Sequence, residues 1–136
     1  MTKNKRNNTI FYILGIIISG MLSLFLTYYY YINKSFKENI IKGNQCVNAE
    51  EYEEAIKFYK EGLRYKNNSE IYTKVQDIIK IKDSKKFYST GISFKKEGKY
   101  KEAVDMFKKV YDKDKKRYLN AKNEIEECTR LCNMQR

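Results

Sequence analysis

Histidine, proline and tryptophan are all absent from this 136-residue chain. Without histidine, the commonest general base near neutral pH and the commonest metal ligand are both missing. Ser-His-Asp and Cys-His nucleophile arrangements are therefore excluded within the chain. There is also no Gly-rich phosphate loop, no nucleophile elbow and no metal-ligand motif. No catalytic residue, cofactor or metal site is expected. Lys, Ile, Asn and Tyr are used heavily, the bias that an AT-rich coding sequence produces. Some lysines then reflect codon bias rather than a role.

Cysteine is sparse: Cys46, Cys128 and Cys132. Cys128 and Cys132 stand four apart, on one face of a helix. A zinc site there lacks ligands unless carboxylates or a second chain supply them. A disulfide within one helical turn is geometrically awkward. Three buried or half-buried thiols are the simplest reading, with Cys46 acting as a small core hydrophobe. An odd count argues mildly for a setting of low oxidising power.

Charge is missing from a long stretch. No Asp, Glu, Lys or Arg occurs from Asn7 to Asn33. Lys3, Lys5 and Arg6 precede that stretch, in a basic tail over residues 1–9. From Lys34 onward there are 25 basic and 17 acidic residues, a net +8.

Within the uncharged stretch, Ile10 to Ile32 is a 23-residue apolar run. As a helix it spans about 34 Å, enough to cross about 30 Å of hydrocarbon with some tilt. A helix satisfies its own backbone in lipid, so residues 10–32 are read as a transmembrane helix. Tyr28, Tyr29, Tyr30 and Tyr31 at its end fit an interfacial aromatic belt. The run is too long for the core of a cleaved signal peptide and contains no alanine, which favours an uncleaved signal anchor. Lys3, Lys5 and Arg6 lack a neighbouring acid, whereas Lys34, Lys37 and Lys42 are offset by Glu38. The positive-inside rule then favours, by a small margin, a cytoplasmic N-terminus and a domain outside the cytoplasm. Gly15, Ser19 and Ser23 recur every four residues, a spacing that lets two membrane helices approach closely and form a homo-oligomer. The same three are equally read as small residues scattered through an apolar helix.

Residues 33–136 carry two similar segments. The first is Glu51-Tyr52-Glu53-Glu54-Ala55-Ile56-Lys57-Phe58-Tyr59. The second is Lys99-Tyr100-Lys101-Glu102-Ala103-Val104-Asp105-Met106-Phe107. Spacings of three and four put Tyr52, Ala55, Ile56, Tyr59 and Leu63 on one helical face, and Tyr100, Ala103, Val104, Phe107 and Tyr111 on another. Upstream of the second copy stand Phe87, Gly91 and Phe94, followed by Gly98, the favoured residue just past a helix end.

This pattern resembles the tetratricopeptide (TPR) repeat. The Ala sits where two helices cross, and the aromatic fills the space beside it. The resemblance covers about 60 residues and is better in the second copy. In the first, Asn39, Cys46 and Glu50 stand in place of two aromatics and the turn Gly, and Gly43 keeps the small position. Asn67 and Lys115 occupy the place of the usual proline. Ala55 and Ala103 lie 48 residues apart, against about 34 in the family.

The expected fold is all-α: the transmembrane helix, then hairpins at about residues 36–66 and 84–113, with further helices at about 69–82 and 116–132. Tyr72, Val75 and Ile79 are expected on one face of the first further helix. Tyr118, Ala121, Ile125 and Cys128 fall on one face of the second, which would cap the stack. Ser84 could cap a new helix, so residues 69–97 are read as one helix or two.

The resemblance implies a peptide groove lined by the first helix of each hairpin. In the second hairpin the lining is Lys85, Tyr88, Ile92, Lys95 and Lys96. In the first it is Lys37, Ile40, Asn44, Val47 and Asn48. The Asn-plus-Lys clamp that some TPR domains use for terminal carboxylates is not reproduced, since Ile92 stands where Asn44 would repeat. The resemblance implies a membrane-tethered scaffold that binds a protein or peptide. Small N-anchored TPR proteins of bacterial envelopes share this layout and assist secretion, envelope assembly or division.

An alternative reading uses two lysine-rich stretches. One is Lys95, Lys96, Lys99 and Lys101; the other runs from Lys108 to Arg117. They would bind an anionic envelope polymer or membrane surface. No aromatic-basic nucleic-acid module is visible, so nucleic acid is not an expected partner. Glu124, Glu126 and Glu127 are read as a solvated face.

Overall fold

A computed structural model describes residues 3–134, with side chains from residue 10 onward. The side chains of the basic tail lie outside the described residues. The chain is all-α, with no strand among the described residues. Five helices follow one another: α1 (Lys3–Asn48), α2 (Tyr52–Tyr65), α3 (Ser69–Lys96), α4 (Tyr100–Phe107) and α5 (Lys115–Met134).

α1 carries the one stretch, among the described residues, that is long and apolar enough to cross a membrane. Its large side chains, from Ile10 to Tyr31, are exposed, so no part of the fold covers them. The helix does not stop at the end of the apolar run. It continues without a break to Asn48 and supplies the first helix of the first hairpin. No Gly or Pro stands between Gly20 and Gly43 to interrupt it. The polar side chains on the way turn back onto the helix: Asn33 donates to the Tyr29 carbonyl at 2.8 Å, and Asn39 to that of Ser35 at 2.9 Å. Such back-bonding leaves the ladder intact.

α2 returns antiparallel along α1. Between them Ala49 to Glu51 form a tight turn. The amide of Glu51 donates to the Cys46 carbonyl at 2.8 Å, and that of Glu50 to the Val47 carbonyl at 3.0 Å. The α3–α4 turn repeats this pairing: Lys99 donates to Phe94 at 2.9 Å and Gly98 to Lys95 at 3.1 Å. Both are Schellman closures, which need a left-handed residue after the helix. Gly98 takes it at φ +75°, and Glu50, 48 residues earlier, takes it at φ +57°. The left-handed region costs a residue with a Cβ about 1–2 kcal/mol.

α3 is a single helix of 28 residues. The expected helix at 69–82 and the first helix of the second hairpin are thus one element. Its start is capped by Asn68, whose side chain accepts from the Ile71 amide at 3.0 Å. Ser84 is not a second cap. It is fully buried in mid-helix, and its Oγ accepts from the Tyr111 amide at 2.7 Å. That amide lies beyond the end of α4 and has no helical partner of its own.

The interior divides into two clusters. Tyr52, Ala55 and Tyr59 of α2 pack with Ile71, Val75 and Ile78 of α3. Ala103, Phe107 and Val110 pack with Ala121 and Cys128 of α5. Ile56, Leu63, Phe87, Phe94, Tyr100 and Val104 lie half-buried around them. In the first half of α3 the buried face is Ile71, Val75 and Ile78. Tyr72 is exposed and Ile79 half-buried. Both triplets obey helical spacing, and burial favours the one without a hydroxyl that must stay hydrated.

The hairpins share a close contact that fixes their crossing. A Cβ built on Gly43 would lie 2.6 Å from the Tyr59 ring, and one on Gly91 2.6 Å from the Phe107 ring. Each ring occupies the place where a Cβ on the facing helix would stand, so only glycine leaves room. Burying each ring contributes roughly 1.5–3 kcal/mol.

Candidate partner-binding surfaces

The expected groove residues fall along α1 and α3, and many of their groups are already engaged. Asn44 Oδ1 accepts from Tyr59 Oη at 2.7 Å and from Lys74 Nζ of α3. Burial pushes the Tyr59 phenol up to about 12. Ile40 and Val47 pack against the first cluster. Tyr88 and Ile92 pack into the second, with the Tyr88 and Phe107 rings 5.6 Å apart. Lys95 is held by α5: its Nζ lies 2.6 Å from both Glu124 and Glu127. Glu124 and Glu127 are therefore ion-pair partners rather than a solvated face. Lys37, Asn48, Lys85 and Lys96 are exposed.

A polar cluster joins the hairpins. Glu50 pairs with Arg117 of α5, and with Lys85 of α3 at 3.1 Å. Arg117 also donates to Asp114 Oδ2 at 3.0 Å. The Arg117 and Asp114 side chains are 14% and 7% exposed. The Lys85 hydrogen bond, aided by Arg117, holds the Glu50 carboxyl below the usual carboxylate range. Asp114 is in addition the start of α5, with its carbonyl accepting from the Tyr118 amide at 2.8 Å.

The lysine-rich stretches are not uniform basic faces. Lys95, Lys99, Lys113 and Arg117 are all paired with acids. Lys96, Lys101, Lys108, Lys109, Lys115 and Lys116 are exposed.

Sequence spacing alone did not disclose one feature. A cleft of about 470 Å³ opens between the middle of α3 and the turn from α4 to α5. Phe87, Val110, Tyr111 and Tyr118 give it an apolar floor, with Lys80, Lys109, Asp83 and Asp112 around it. Lys80 lies 4.9 Å over the Tyr111 ring, and Lys109 5.7 Å over that of Phe87. Tyr111 Oη donates to Asp77 at 2.8 Å, which with Lys113 fixes the ring. The cleft lies where the 28-residue α3 extends past the 8-residue α4.

Gly15, Ser19 and Ser23 form an open stripe: a Cβ on Gly15 would meet nothing within 4 Å. Cys128 is buried and Cys46 and Cys132 are half-buried, all as free thiols. Burial raises the Cys128 thiol. No three His, Cys, Asp or Glu side chains converge as a metal site among the described residues.

In a 98-position alignment covering 65% of this chain, the sequence is 34% identical to the Hsp70-Hsp90 organizing protein of Triticum aestivum, a TPR-containing protein. The chain spans 17% of that protein's length. No family model and no solved structure matches this chain.

Proposed function

We propose that this protein is a membrane-tethered, non-catalytic binding module that holds a peptide segment of a protein partner. The observation that carries this reading is the repeated hairpin, with glycine laid on an aromatic ring at Gly43–Tyr59 and again, 48 residues on, at Gly91–Phe107. The likeness to a TPR-containing organizing protein supports it. The exposed apolar run of α1 supplies the tether, which raises the local concentration of the module at the membrane. On the balance of flanking charge, the N-terminus is cytoplasmic and the domain lies outside.

Asn44, Tyr88, Ile92 and Lys95 of the expected groove are already engaged within the fold, so the partner docks in the cleft beside Phe87, Tyr111 and Tyr118. An apolar side chain of the partner rests on the aromatic floor. Lys80, Lys108, Lys109, Lys115 and Lys116 have no acidic partner among the described residues and favour acidic flanks. Peptide display against the full chain in lipid nanodiscs tests this. The expected winners carry an apolar anchor between acidic residues, and the Lys80→Glu/Lys109→Glu variant loses them while Lys57→Glu does not. Winners indifferent to the cleft substitutions would overturn the assignment.

A further inference from the structure

The continuity of α1 fixes where the domain stands above the bilayer. Tyr31 is the last tyrosine of the apolar run, and its ring lies 6.2 Å from that of Tyr65, at the end of α2. Lys66 Nζ is 3.4 Å from Asn33 Oδ1 and 5.8 Å from the Phe36 ring. The end of α2 and the turn into α3, residues 66–68, are thus level with the end of the apolar run. The polar layer of a bilayer is about 5–7 Å deep on each side. With residues 10–32 in the hydrocarbon, that corner lies inside the polar layer rather than in bulk water.

The side chains at this corner suit that layer. Lys34 and Lys37 follow the apolar run of α1 within two turns, at the level that the Lys66–Asn33 contact gives to the end of α2. Tyr72, exposed on the first turn of α3, lines a shallow cleft with Lys60, Leu63 and Arg64. Lys37 and Lys66 have no acidic partner among the described residues. Glu61 holds Arg64 at 3.0 Å, Glu38 approaches Lys34 only to 4.0 Å, and Glu70 is exposed nearby.

We propose that the α2–α3 corner is a second membrane contact: Lys37, Arg64 and Lys66 bind the phosphates of anionic lipids while Tyr65 and Tyr72 sit among the headgroups. The proposal rests on the reading of residues 10–32 as the membrane anchor. It makes the domain a body docked on the bilayer by two points. Each basic residue at an anionic surface strengthens the contact about fivefold.

The absence of tryptophan makes the test direct. Three single-tryptophan versions of the full chain are reconstituted into phosphatidylcholine vesicles with or without phosphatidylglycerol: Phe25→Trp as the anchor probe, Tyr72→Trp as the corner probe and Leu119→Trp as the distal probe. Quenching is read with lipids spin-labelled at the headgroup or along the chain. The anchor probe should be quenched by chain-labelled lipid in both vesicles. The corner probe should be quenched by headgroup-labelled lipid, more strongly with phosphatidylglycerol, and this should weaken in Lys37→Glu/Lys66→Glu. The distal probe, far along the domain, should stay unquenched. If the anchor probe is quenched and the corner probe is no more quenched than the distal one, the anchor stands and the corner contact is wrong. Equal quenching of the corner probe in both vesicles overturns the anionic-lipid selectivity. If the anchor probe is not quenched, the anchor reading fails and the proposal with it.

Discussion

Glu50 and Arg117 pair across 67 positions of sequence, joining the turn of the first hairpin to the start of the last helix. Glu50 stands where the second hairpin has Gly98 and accepts the left-handed backbone that glycine would adopt freely. The strained conformation aims its carboxylate at Arg117 and Lys85, the link between the two halves. Two local signals therefore conflict at one residue, and the inter-hairpin contact accounts for the outcome.

Removing either partner separates these effects. Arg117→Ala leaves Asp114 buried beside a lost cation and should destabilise the fold by about 3–5 kcal/mol. Glu50→Ala loses the pair and keeps the strain. Glu50→Gly loses the pair and relieves the strain, so it should be about 1 kcal/mol more stable than Glu50→Ala. Urea unfolding of the full chain in nanodiscs, followed by circular dichroism, measures all three. Equal stability of the Ala and Gly variants would argue against strain at this turn.

The glycine-on-ring contacts predict a paired rescue. Gly43→Ala and Gly91→Ala should each destabilise by roughly 1–3 kcal/mol, because the ring must move. Trimming the ring in Gly91→Ala/Phe107→Leu should recover part of that loss. A neutral Gly91→Ala would mean that the helices do not cross as described.

Ser84→Ala distinguishes a buried tie from a helix cap. It leaves the Tyr111 amide without its acceptor, costing about 1–3 kcal/mol. Amide exchange should rise at Tyr111 and not at residues 85–88. Faster exchange at 85–88 would instead indicate that a new helix starts there.

Acid should loosen the inter-helix links. Hydrogen bonds from Lys85 and Arg117 to Glu50, from Lys113 and Tyr111 to Asp77, and from Lys95 to Glu127 lower those carboxyl pKa values. A carboxylate lowered in the folded state stabilises the fold above its unfolded pKa. That contribution disappears as pH falls through the folded value. The thermal midpoint should therefore hold near neutral pH and fall below about pH 4.5. Arg117→Met should flatten part of that fall, and an unchanged profile would show that Glu50 contributes little.

The local elements were legible because they obey short-range rules. The spacing of Tyr52, Ala55 and Tyr59 gives α2, and Gly98 gives the α3–α4 turn. What spacing could not show was which of two equally periodic faces is buried, as with Ile71 against Tyr72. Nor could it show where a polar side chain finds its partner. Ser84 has a capping residue's chemistry and uses it on Tyr111, 27 positions away. Lys95 looks like a free groove lysine until α5 brings Glu124 and Glu127 beside it. The cleft was hidden for the same reason: Lys80, Phe87, Lys109 and Tyr118 meet only after three elements pack.

Site-specific photo-cross-linking in living cells tests the central claim most directly. A photoreactive residue is placed in the full chain at Lys109 or Asp112 on the cleft rim, or at Lys57 or Gln45 on other exposed surfaces. The binding-module account predicts a discrete protein adduct from positions 109 and 112, none from 57 and 45, and its loss on Lys80→Glu. Adducts that are equal at all four positions, or absent from the rim, would contradict it.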